Sequence, residues 1–246
     1  MAIQRFELEL LDKKMISPNT MHLSFKRADN LELDYIAGQF VTFMFEPKSD
    51  KANSGKPKRR SYSIATMDKS VDSIDIAISY IKGGIASEHL FNAEKGDKFN
   101  VMGPAGRLIL KEEEIQRVIL VGTGTGIAPY RAMLPALAEQ SSLQVEILLG
   151  VQYRQDALYA DDFIEYANNY DHISFKACLS REEQPLKKHE VKGYVQNQFD
   201  DLALIPGEDV IYLCGNPDMI DDAFANLTTA GFDSKSVRRE KYISSN

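Results

Sequence analysis

Cysteine is scarce in this chain of 246 residues, which contains only Cys178 and Cys214. Neither a Cys-x-x-Cys pair nor a set of four cysteines is present. Iron–sulfur clusters are held by four cysteine thiolates in most proteins. The chain therefore does not hold such a cluster itself, and any cluster it works with has to sit on a partner.

The sequence also lacks a metal-binding pattern, a long apolar run and an excess of positive charge. No stretch approaches the roughly 18 apolar residues of a membrane-spanning helix, and the start MAIQRFELEL is unlike a signal peptide. The net charge of −7 argues against nonspecific binding to nucleic acid. The histidines are scattered without the close spacing of a metal site: His22, His89, His172 and His189. We expect a cytoplasmic protein, a monomer or weak dimer, with no metal, no membrane segment and no nucleic-acid partner.

The first hundred or so residues show the alternation of short β-strands. Apolar side chains recur at every second position over residues 6–11, 21–26, 40–45 and 73–80. Turn-rich stretches lie between them, including 46–57 and the Gly103–Pro104 pair, and one helix is expected over 86–92. The pattern predicts an antiparallel β-barrel or sandwich.

From Gln116 onward, apolar strands alternate with helical segments. RVILVG, LQVEILLGV, ISFKACL and DVIYLCG read as strands, and PYRAMLPALAEQ, ADDFIEYANNY and PDMIDDAFANL read as helices. Such alternation predicts a Rossmann-like parallel sheet covered by helices. The charged run 111–114 separates the two patterns. We therefore expect a protein with an α+β and an α/β part, in two domains over residues 1–112 and 113–246.

A glycine-rich loop follows the first predicted parallel strand. The segment GTGTGIAP, residues 122–129, places three glycines where the backbone must turn sharply and places Pro129 at a helix start. A pyrophosphate could bind at that helix N-terminus. The spacing is Gly-x-Gly-x-Gly rather than Gly-x-Gly-x-x-Gly, so a tight strand-to-helix turn is the alternative interpretation.

Two segments of the first half suit a flat anionic cofactor. Arg60 and Tyr62 lie on one face of a predicted strand, and Ser63 lies on the other face. In residues 83–87 two glycines precede a short helix, so backbone N–H groups and the Ser87 hydroxyl could bind a phosphate. An ordinary barrel strand and a simple helix cap are the alternative interpretations.

The last buried parallel strand ends at Cys214 and Gly215, and Asn216–Pro217 begins the next helix. Ligands of open α/β sheets bind at such carboxyl ends of strands. Nothing around Cys214 marks it as a nucleophile with a lowered pKa. We expect no covalent catalysis at this cysteine.

Taken in order, these motifs resemble the signature of the plant-type ferredoxin-NADP reductase superfamily, and most of all a stand-alone bacterial ferredoxin- or flavodoxin-NADP reductase. The matching motifs are Arg60-x-Tyr62-Ser63, Gly84-x-x-Ser87, Gly103-Pro104-x-Gly106, Gly124-Thr125-Gly126-Ile127-Ala128-Pro129 and Cys214-Gly215-x-x-x-Met219. The resemblance extends from Gly38-Gln39-Phe40 to Glu240-x-Tyr242. It implies an N-terminal FAD-binding barrel and a C-terminal NADP-binding domain, with the flavin and the nicotinamide meeting between them.

The resemblance also implies a role for each matched position. Tyr62 would stack on the flavin, Ser63 would hydrogen-bond near flavin N5, and Cys214 would line the nicotinamide site. The flavin pyrophosphate would be held by Arg60, Gly84, Ile85, Ala86 and Ser87. The pyridine nucleotide would be held by Gly124, Thr125 and Gly126. The side chains implied in catalysis are Ser63, Cys214, Glu240 and Tyr242.

Glu240 and Tyr242 resemble the acid and the aromatic residue at the end of the family's chains. This sequence departs from the pattern because it continues through residues 243–246. Tyr242 would therefore either stack on the flavin or pack elsewhere as an ordinary strand residue.

Nucleotide choice is expected to depend on Ser180, Arg181, Lys192, Tyr194 and Gln196. A 2′-phosphate favours arginine or lysine together with hydroxyl donors, and the resemblance implies that Tyr194 stacks on the adenine. The segment 193–195 also resembles NADH-using oxygenase reductases, and Ser180 and Arg181 could be an ordinary solvated strand end. NADP is the expected nucleotide, and NAD is the alternative.

A basic segment precedes Arg60. It contains Lys48, Lys51, Lys56, Lys58 and Arg59 against one acid, Asp50. Such a patch could steer an acidic ferredoxin or flavodoxin toward the flavin edge. A solvated loop with incidental lysines is the alternative interpretation.

The resemblance implies an FAD-dependent oxidoreductase that moves hydride between NADPH and flavin N5, and single electrons between FAD and ferredoxin or flavodoxin. Two alternatives stay open: an NADH-dependent reductase component of a multi-component oxygenase, and a non-catalytic electron-transfer subunit that binds flavin or nucleotide. A free-flavin reductase is less favoured, because the 84–87 turn indicates a tightly held dinucleotide.

Overall fold

The structure, a computed structural model, describes residues 3–46, 57–68, 72–111 and 115–242. Within it the chain divides into two compact units, one up to Ile109 and one from Leu110 onward. The predicted domain boundary at 112–113 falls outside the described residues and stays a prediction. The same holds for the C-terminal extension 243–246 and for part of the basic segment: Lys48, Asp50, Lys51 and Lys56.

The first unit is an antiparallel barrel, as predicted. Its elements are β1 (Gln4–Ser17), β2 (Thr20–Arg27), β3 (Phe40–Phe45), β4 (Lys58–Ser63), β5 (Ile74–Ser79), α1 (Ile85–Asn92) and β6 (Lys98–Ala105). The strand order is β4-β3-β6-β1-β2-β5. The N–H group of Ala65, just after β4, donates to the carbonyl oxygen of Asp75 in β5 at 2.8 Å. The two outer strands therefore meet, and the sheet closes on itself.

Every second strand residue contributes to the core of this unit, as the alternating pattern predicts. The deeply buried side chains include Leu8, Leu10, Leu23, Phe25, Ile76 and Val101. The Phe43 ring contacts Phe25 at a centroid distance of 5.4 Å and the edge of Tyr62 at 5.7 Å. Tyr62 is therefore oriented by the aromatic core although it is only partly buried.

Two details of the barrel differ from the prediction. Gly103 and Pro104 lie within β6, not in a turn, because the pairing of β6 with β3 contains a bulge between Phe40 and Thr42. A Cβ atom at Gly103 would lie 3.2 Å from the Phe40 carbonyl oxygen, so glycine permits the close approach of β3. β1 also continues beyond residue 11 into a hairpin with β2, where residues 12–15 are exposed and pairing is by backbone alone.

The second unit is the predicted parallel sheet covered by helices. Its elements are β7 (Arg117–Thr123), α2 (Ala128–Ala138), β8 (Gln144–Val151), α3 (Ala160–Asn169), β9 (Ile173–Leu179), β10 (Glu190–Lys192), α4 (Phe199–Leu202), β11 (Asp209–Gly215), α5 (Pro217–Thr229) and β12 (Val237–Lys241). All its neighbouring strands are parallel, in the order β10-β9-β8-β7-β11-β12.

The strand order reverses at β7. From β7 the chain moves outward through β8 to β10 and then returns to β11 on the other side. Ligands of open α/β sheets bind outside the carboxyl ends of the strands at such a switch point. This topology places the candidate nucleotide site at the ends of β7 and β11.

The helices of the described ranges are short, and α5 is the longest among them with 13 residues. Within those ranges, no helix has the length and apolar character needed to span a bilayer.

A buried ion pair joins the opposite ends of the same two strands. Arg117 of β7 donates through Nε to Asp209 Oδ1 at 2.9 Å and through Nη2 to Oδ2 at 2.6 Å. Arg117 also donates to the Leu202 carbonyl oxygen at 3.0 Å. The hydrogen bond that Arg117 donates to Asp209 raises the pKa of Arg117. The Asp209 side chain is only 3% exposed, so removal of Arg117 would leave a buried carboxylate without a counter-charge.

We expect Arg117→Met to lower the free energy of unfolding of the second unit by about 3 kcal/mol, since it leaves a buried carboxylate unpaired. Lys241→Met is the matched control, because its pair with Asp221 is 37% and 58% exposed and should contribute less than about 1 kcal/mol. Urea unfolding followed by circular dichroism measures both variants. Equal losses in the two variants would contradict the expected difference.

Candidate functional site

The glycine loop after β7 has one open position and one tightly packed position. It forms a 3₁₀ turn over Gly124–Ile127 before α2 begins. Gly124 has a φ of +52°, and a Cβ atom there would meet nothing within 4 Å. A Cβ atom at Gly126 would lie 2.3 Å from the Cys214 carbonyl oxygen. The loop backbone therefore rests directly on the end of β11 and leaves space around Gly124.

Thr123, which was not predicted from the sequence as a site residue, joins the ends of β7 and β11. The N–H group of Asn216 donates to Thr123 Oγ1 at 2.8 Å, and Asn216 itself caps α5 by accepting from Asp218 N and Met219 N. Gly215 has a φ of +120°, and its Cβ atom would lie 2.5 Å from Thr123 Oγ1. The sequence signal that could have identified Thr123 was its position as a polar residue at the end of the apolar strand β7.

Cys214 is fully buried at the end of β11, in register with Gly122 of β7 and Glu240 of β12. Burial raises the pKa of the Cys214 thiol well above its usual range, and the charge of Glu240 raises it further. A hydrogen bond with the Tyr242 side chain has a smaller, opposite effect. The thiol is therefore neutral, which suits a positional role and disfavours a nucleophilic one.

Tyr242 directly follows β12, and its N–H group donates to the Gly215 carbonyl oxygen at 2.8 Å. Together with its side-chain contact to Cys214, this bond places Tyr242 and Glu240 beside the end of β11. Stacking of Tyr242 on a flavin stays a prediction.

The five residues predicted to select the nucleotide lie at or after the carboxyl ends of the neighbouring strands β9 and β10. Leu179 of β9 pairs with Lys192 of β10, so Ser180 and Arg181 lie beside Lys192 and Gly193. Ser180 N donates to the carbonyl oxygen of Val151 at the end of β8, and Arg181 N donates to that of Gln152 just after it. The Arg181 and Lys192 side chains are exposed. Lys192 Nζ donates to the Glu182 carbonyl oxygen, and the Ser180 hydroxyl donates to the Val151 carbonyl oxygen at 3.3 Å. The strand pairing thus places the backbones of Ser180, Arg181 and Lys192 at neighbouring positions.

Tyr194 and Gln196 complete this region. The Tyr194 side chain is 64% exposed, so its ring is accessible to a ligand. Gln196 Oε1 is buried and accepts no hydrogen bond from the described chain. Buried polar atoms normally have a partner, so this acceptor fits a ligand that carries a donor group.

In the first unit, Arg60 and Tyr62 lie on one face of β4, opposite Phe43 and Val41 of β3. Ser63 is 5% exposed at the end of the strand. Burial raises the pKa of the Tyr62 hydroxyl, with a smaller opposing effect of Arg60. Tyr62 therefore offers a neutral aromatic ring beside a cation.

The Ser87 side chain contacts the turn before α1. Ser87 is 2% exposed, and its Oγ accepts the N–H group of Ile81 at 2.8 Å. A Cβ atom at Gly84 would lie 3.0 Å from the Ile81 carbonyl oxygen, which keeps side chains out of the turn. The Ser87 hydroxyl thus fixes the turn. The phosphate-binding role of the first N–H groups of α1, from Ile85 to Ser87, stays a prediction.

Both units match known protein families. The family model described as an oxidoreductase FAD-binding domain matches residues 7–109. The one described as an oxidoreductase NAD-binding domain matches residues 120–224. The predicted order of a flavin domain followed by a nucleotide domain is therefore confirmed.

Curated relatives include reductases of two kinds. The electron transfer component of toluate 1,2-dioxygenase from Pseudomonas putida is 29% identical over 98% of this chain and 68% of its own length. Ferredoxin-NADP reductase B from Sorangium cellulosum is 29% identical over 87% of this chain and 88% of its own length. The root-type ferredoxin-NADP reductase of Nicotiana tabacum is 33% identical over 54% of this chain, which spans 39% of that protein.

Solved structures share the same two-part fold. The cytochrome P450 reductase GcoB from Amycolatopsis superposes with a TM-score of 0.84 at 25% identity, over 97% of this chain and 70% of that one. A ferredoxin NADP⁺ reductase from Neisseria gonorrhoeae with bound FAD and NADP gives a TM-score of 0.80 at 20% identity, over 96% and 98% of the two chains. At 20% identity, the similarity to the Neisseria gonorrhoeae structure shows only that the two proteins share a fold.

We expect Gly126→Ala to weaken nucleotide binding about tenfold, because the added methyl group collides with the Cys214 carbonyl oxygen. Gly207→Ala is the control, since a Cβ atom at Gly207 meets nothing within 4 Å. Calorimetric titration with NADP⁺, which does not reduce the flavin, compares the variants. Unchanged affinity in Gly126→Ala would show that the loop does not depend on this contact.

We expect neither cysteine to react with a chromogenic disulfide reagent in the native protein at about pH 8, because only thiolates react. Burial raises the pKa of Cys178 to about 12 and that of Cys214 well above its usual range. Denatured protein should release two equivalents of chromophore. Rapid modification of Cys214 in the native protein would contradict the neutral, buried thiol.

Proposed function

The chain belongs to the plant-type ferredoxin-NADP reductase superfamily, and from that membership we propose that it moves electrons between NADPH and a ferredoxin or flavodoxin. It is a flavoprotein oxidoreductase that uses FAD and a nicotinamide nucleotide. The observation that carries the choice of NADPH is the juxtaposition of Ser180, Arg181 and Lys192 at the ends of β9 and β10.

The described residues fit FAD. Tyr62 presents a neutral ring, Arg60 lies on the same face of β4, and the turn before α1 has little room for a side chain at Gly84. Arg60 and the first N–H groups of α1 would bind the pyrophosphate, and Tyr62 would stack on the ring system. When bound, FAD supplies the step between hydride transfer and single-electron transfer.

The nucleotide fits the second unit for three reasons. Gly124 leaves open space, α2 begins just beyond it, and Gln196 offers a buried acceptor without a partner in the described chain. The α2 N-terminus would bind the pyrophosphate. Tyr194 would stack on the adenine.

Catalysis in this proposal is a matter of position. Cys214 would line the nicotinamide site from its buried position at the end of β11. Its backbone contacts Gly126, and its side chain contacts Tyr242. Ser63 would hydrogen-bond near the reacting edge of the flavin. A shift of about 1 Å between reacting groups can lower a rate about a hundredfold, so these contacts matter although no residue forms a covalent bond.

The electron carrier is proposed from charge. Lys58 and Arg59 are exposed on β4 next to Arg60, and they would attract an acidic carrier toward the flavin. The relatives include reductases that are named for ferredoxin. A monomeric or weakly dimeric state and a cytoplasmic location stay predictions.

The second candidate function is an NADH-dependent oxygenase reductase. It is favoured by the dioxygenase electron transfer component, which aligns with 98% of this chain. The 246 residues contain only two cysteines, so a cluster for such a system would lie outside them. The two candidates differ in nucleotide and in carrier.

The decisive experiment records the visible spectrum of the purified protein without oxygen and then the rate of flavin bleaching with NADPH and with NADH. We expect a yellow protein that NADPH bleaches at least about tenfold faster, because a 2′-phosphate contact to arginine contributes on the order of 1.5–3 kcal/mol. Faster bleaching by NADH would establish the oxygenase-type function instead. A bound flavin that neither nucleotide bleaches would refute the catalytic proposal.

A further inference from the structure

We propose that Arg154 is a positioning residue for nucleotide selection, because it holds the 180–192 segment that carries Ser180, Arg181 and Lys192. The inference rests on the proposed function. Arg154 itself lies outside the predicted nucleotide site, in a 3₁₀ turn, Arg154–Asp156, that follows β8.

The Arg154 side chain holds the far end of the segment. Its Nε donates to Glu190 Oε1 at 2.6 Å and its Nη2 donates to Glu190 Oε2 at 2.6 Å. Nη2 also donates to the Pro185 carbonyl oxygen at 2.8 Å. The Glu190 side chain is only 9% exposed. A bidentate pair of this kind fixes orientation as well as distance.

The Arg154 backbone holds the near end of the segment. Its N–H group donates to Glu182 Oε2 at 3.0 Å, and the other carboxylate oxygen of Glu182 accepts from Glu183 N and Gln184 N. The Glu182 carbonyl oxygen accepts a hydrogen bond from Lys192 Nζ. Glu182 directly follows Arg181 in the chain and also contacts Lys192. Glu182 therefore connects Arg154 to both cations of the predicted phosphate site, Arg181 and Lys192.

These contacts matter because the segment has little structure of its own. Between the end of β9 at Leu179 and the start of β10 at Glu190 there is neither helix nor strand. Its shape therefore depends on its anchors, and Arg154 supplies anchors at Glu182, Pro185 and Glu190. These three contacts are made by the turn that follows β8. Just before that turn, the Gln152 carbonyl oxygen accepts a hydrogen bond from the Arg181 N–H group.

Arg154 also balances charge near the predicted phosphate site. Its hydrogen bond lowers the pKa of Glu190, and backbone hydrogen bonds lower the pKa of Glu182. Both carboxylates therefore stay ionised at neutral pH. Without the Arg154 guanidinium, the segment would carry more net negative charge, which disfavours binding of a 2′-phosphate. Shape and charge thus act in the same direction on NADPH.

The groups held by Arg154 lie at the ends of β9 and β10, whereas the glycine loop and Cys214 lie at the ends of β7 and β11. Loss of Arg154 should therefore weaken recognition of the 2′-phosphate and leave the reacting end unchanged. A residue that merely stabilised the unit would instead affect every ligand alike.

The experiment titrates the purified flavoprotein with adenosine 2′,5′-bisphosphate and with AMP, which lacks only the 2′-phosphate, by calorimetry. Arg154→Met removes the side-chain contacts to Glu190 and Pro185 and keeps the backbone N–H contact to Glu182. Because the far end of the segment is then released, we expect the Kd of the bisphosphate to rise about tenfold. The Kd of AMP should change less than about twofold, and kcat at saturating NADPH should stay within about twofold of the wild type.

Three further variants make the comparison specific. Arg131→Met is the matched control, because Arg131 also pairs with a partly buried carboxylate, Asp162, at 2.5 Å, but joins α2 to α3; it should leave the ratio of the two Kd values unchanged. Arg181→Ala is the reference for direct loss of a phosphate ligand. Arg154→Lys keeps the charge without the bidentate geometry, and it should raise the bisphosphate Kd by a smaller factor, which provides the test if the methionine variant does not fold.

The outcomes separate the inference from the proposed function. If wild-type protein prefers the bisphosphate and Arg154→Met prefers it just as strongly, the role of Arg154 is refuted and the function stands. If both ligands weaken equally, Arg154 is structural only, and the inference is again refuted. Equal binding of the two ligands by the wild type would overturn the choice of NADPH and the inference with it.

Discussion

The distance between the backbone after β7 and the backbone at the end of β11 sets the geometry of the second unit. Gly126 approaches the Cys214 carbonyl oxygen, and Gly215 approaches Thr123, so closely that neither glycine has room for a Cβ atom. Below them, the buried Tyr130 hydroxyl of α2 lies 2.9 Å from the Tyr212 carbonyl oxygen and 3.2 Å from that of Val121. The N-terminus of α2 and the end of β11 at Cys214 are therefore held at a fixed separation. In the proposed function, the first would bind the phosphates of the nucleotide and the second would line its nicotinamide site.

The architecture of both units could be predicted from residue patterns because each depends on short-range periodicity. Alternation with a period of two identified the barrel, and the succession of apolar strands and helices identified the parallel sheet. The prediction failed where a contact between strands outweighed a local signal. The Gly103–Pro104 pair has the composition of a turn, yet its glycine accommodates β3 inside a strand.

The site was predictable where its residues belong to contiguous motifs, as around Arg60 or Gly126. It was not predictable where the role depends on a partner far along the chain. Thr123 meets Asn216 across 93 positions, and Arg154 meets Glu190 across 36. Ser87 illustrates a third case: its motif pointed to a phosphate, but in the folded chain the hydroxyl meets the Ile81 N–H group. A motif identifies a turn more reliably than it identifies the atoms that a ligand touches.

The anchoring of residues 180–192 by Arg154 has a consequence for protein engineering. Selectivity for a nucleotide is commonly altered by exchanging the side chains that contact the ribose. In the function proposed for this chain, those side chains lie on residues 180–192, which contact the turn after β8 through Arg154. A transplanted segment would then need its arginine at 154 and its carboxylates at 182 and 190 to keep its conformation. To transfer nucleotide selectivity, one would therefore have to exchange the turn after β8 and the 180–192 segment together. A substitution in one of them would restrict which substitutions the other can accept.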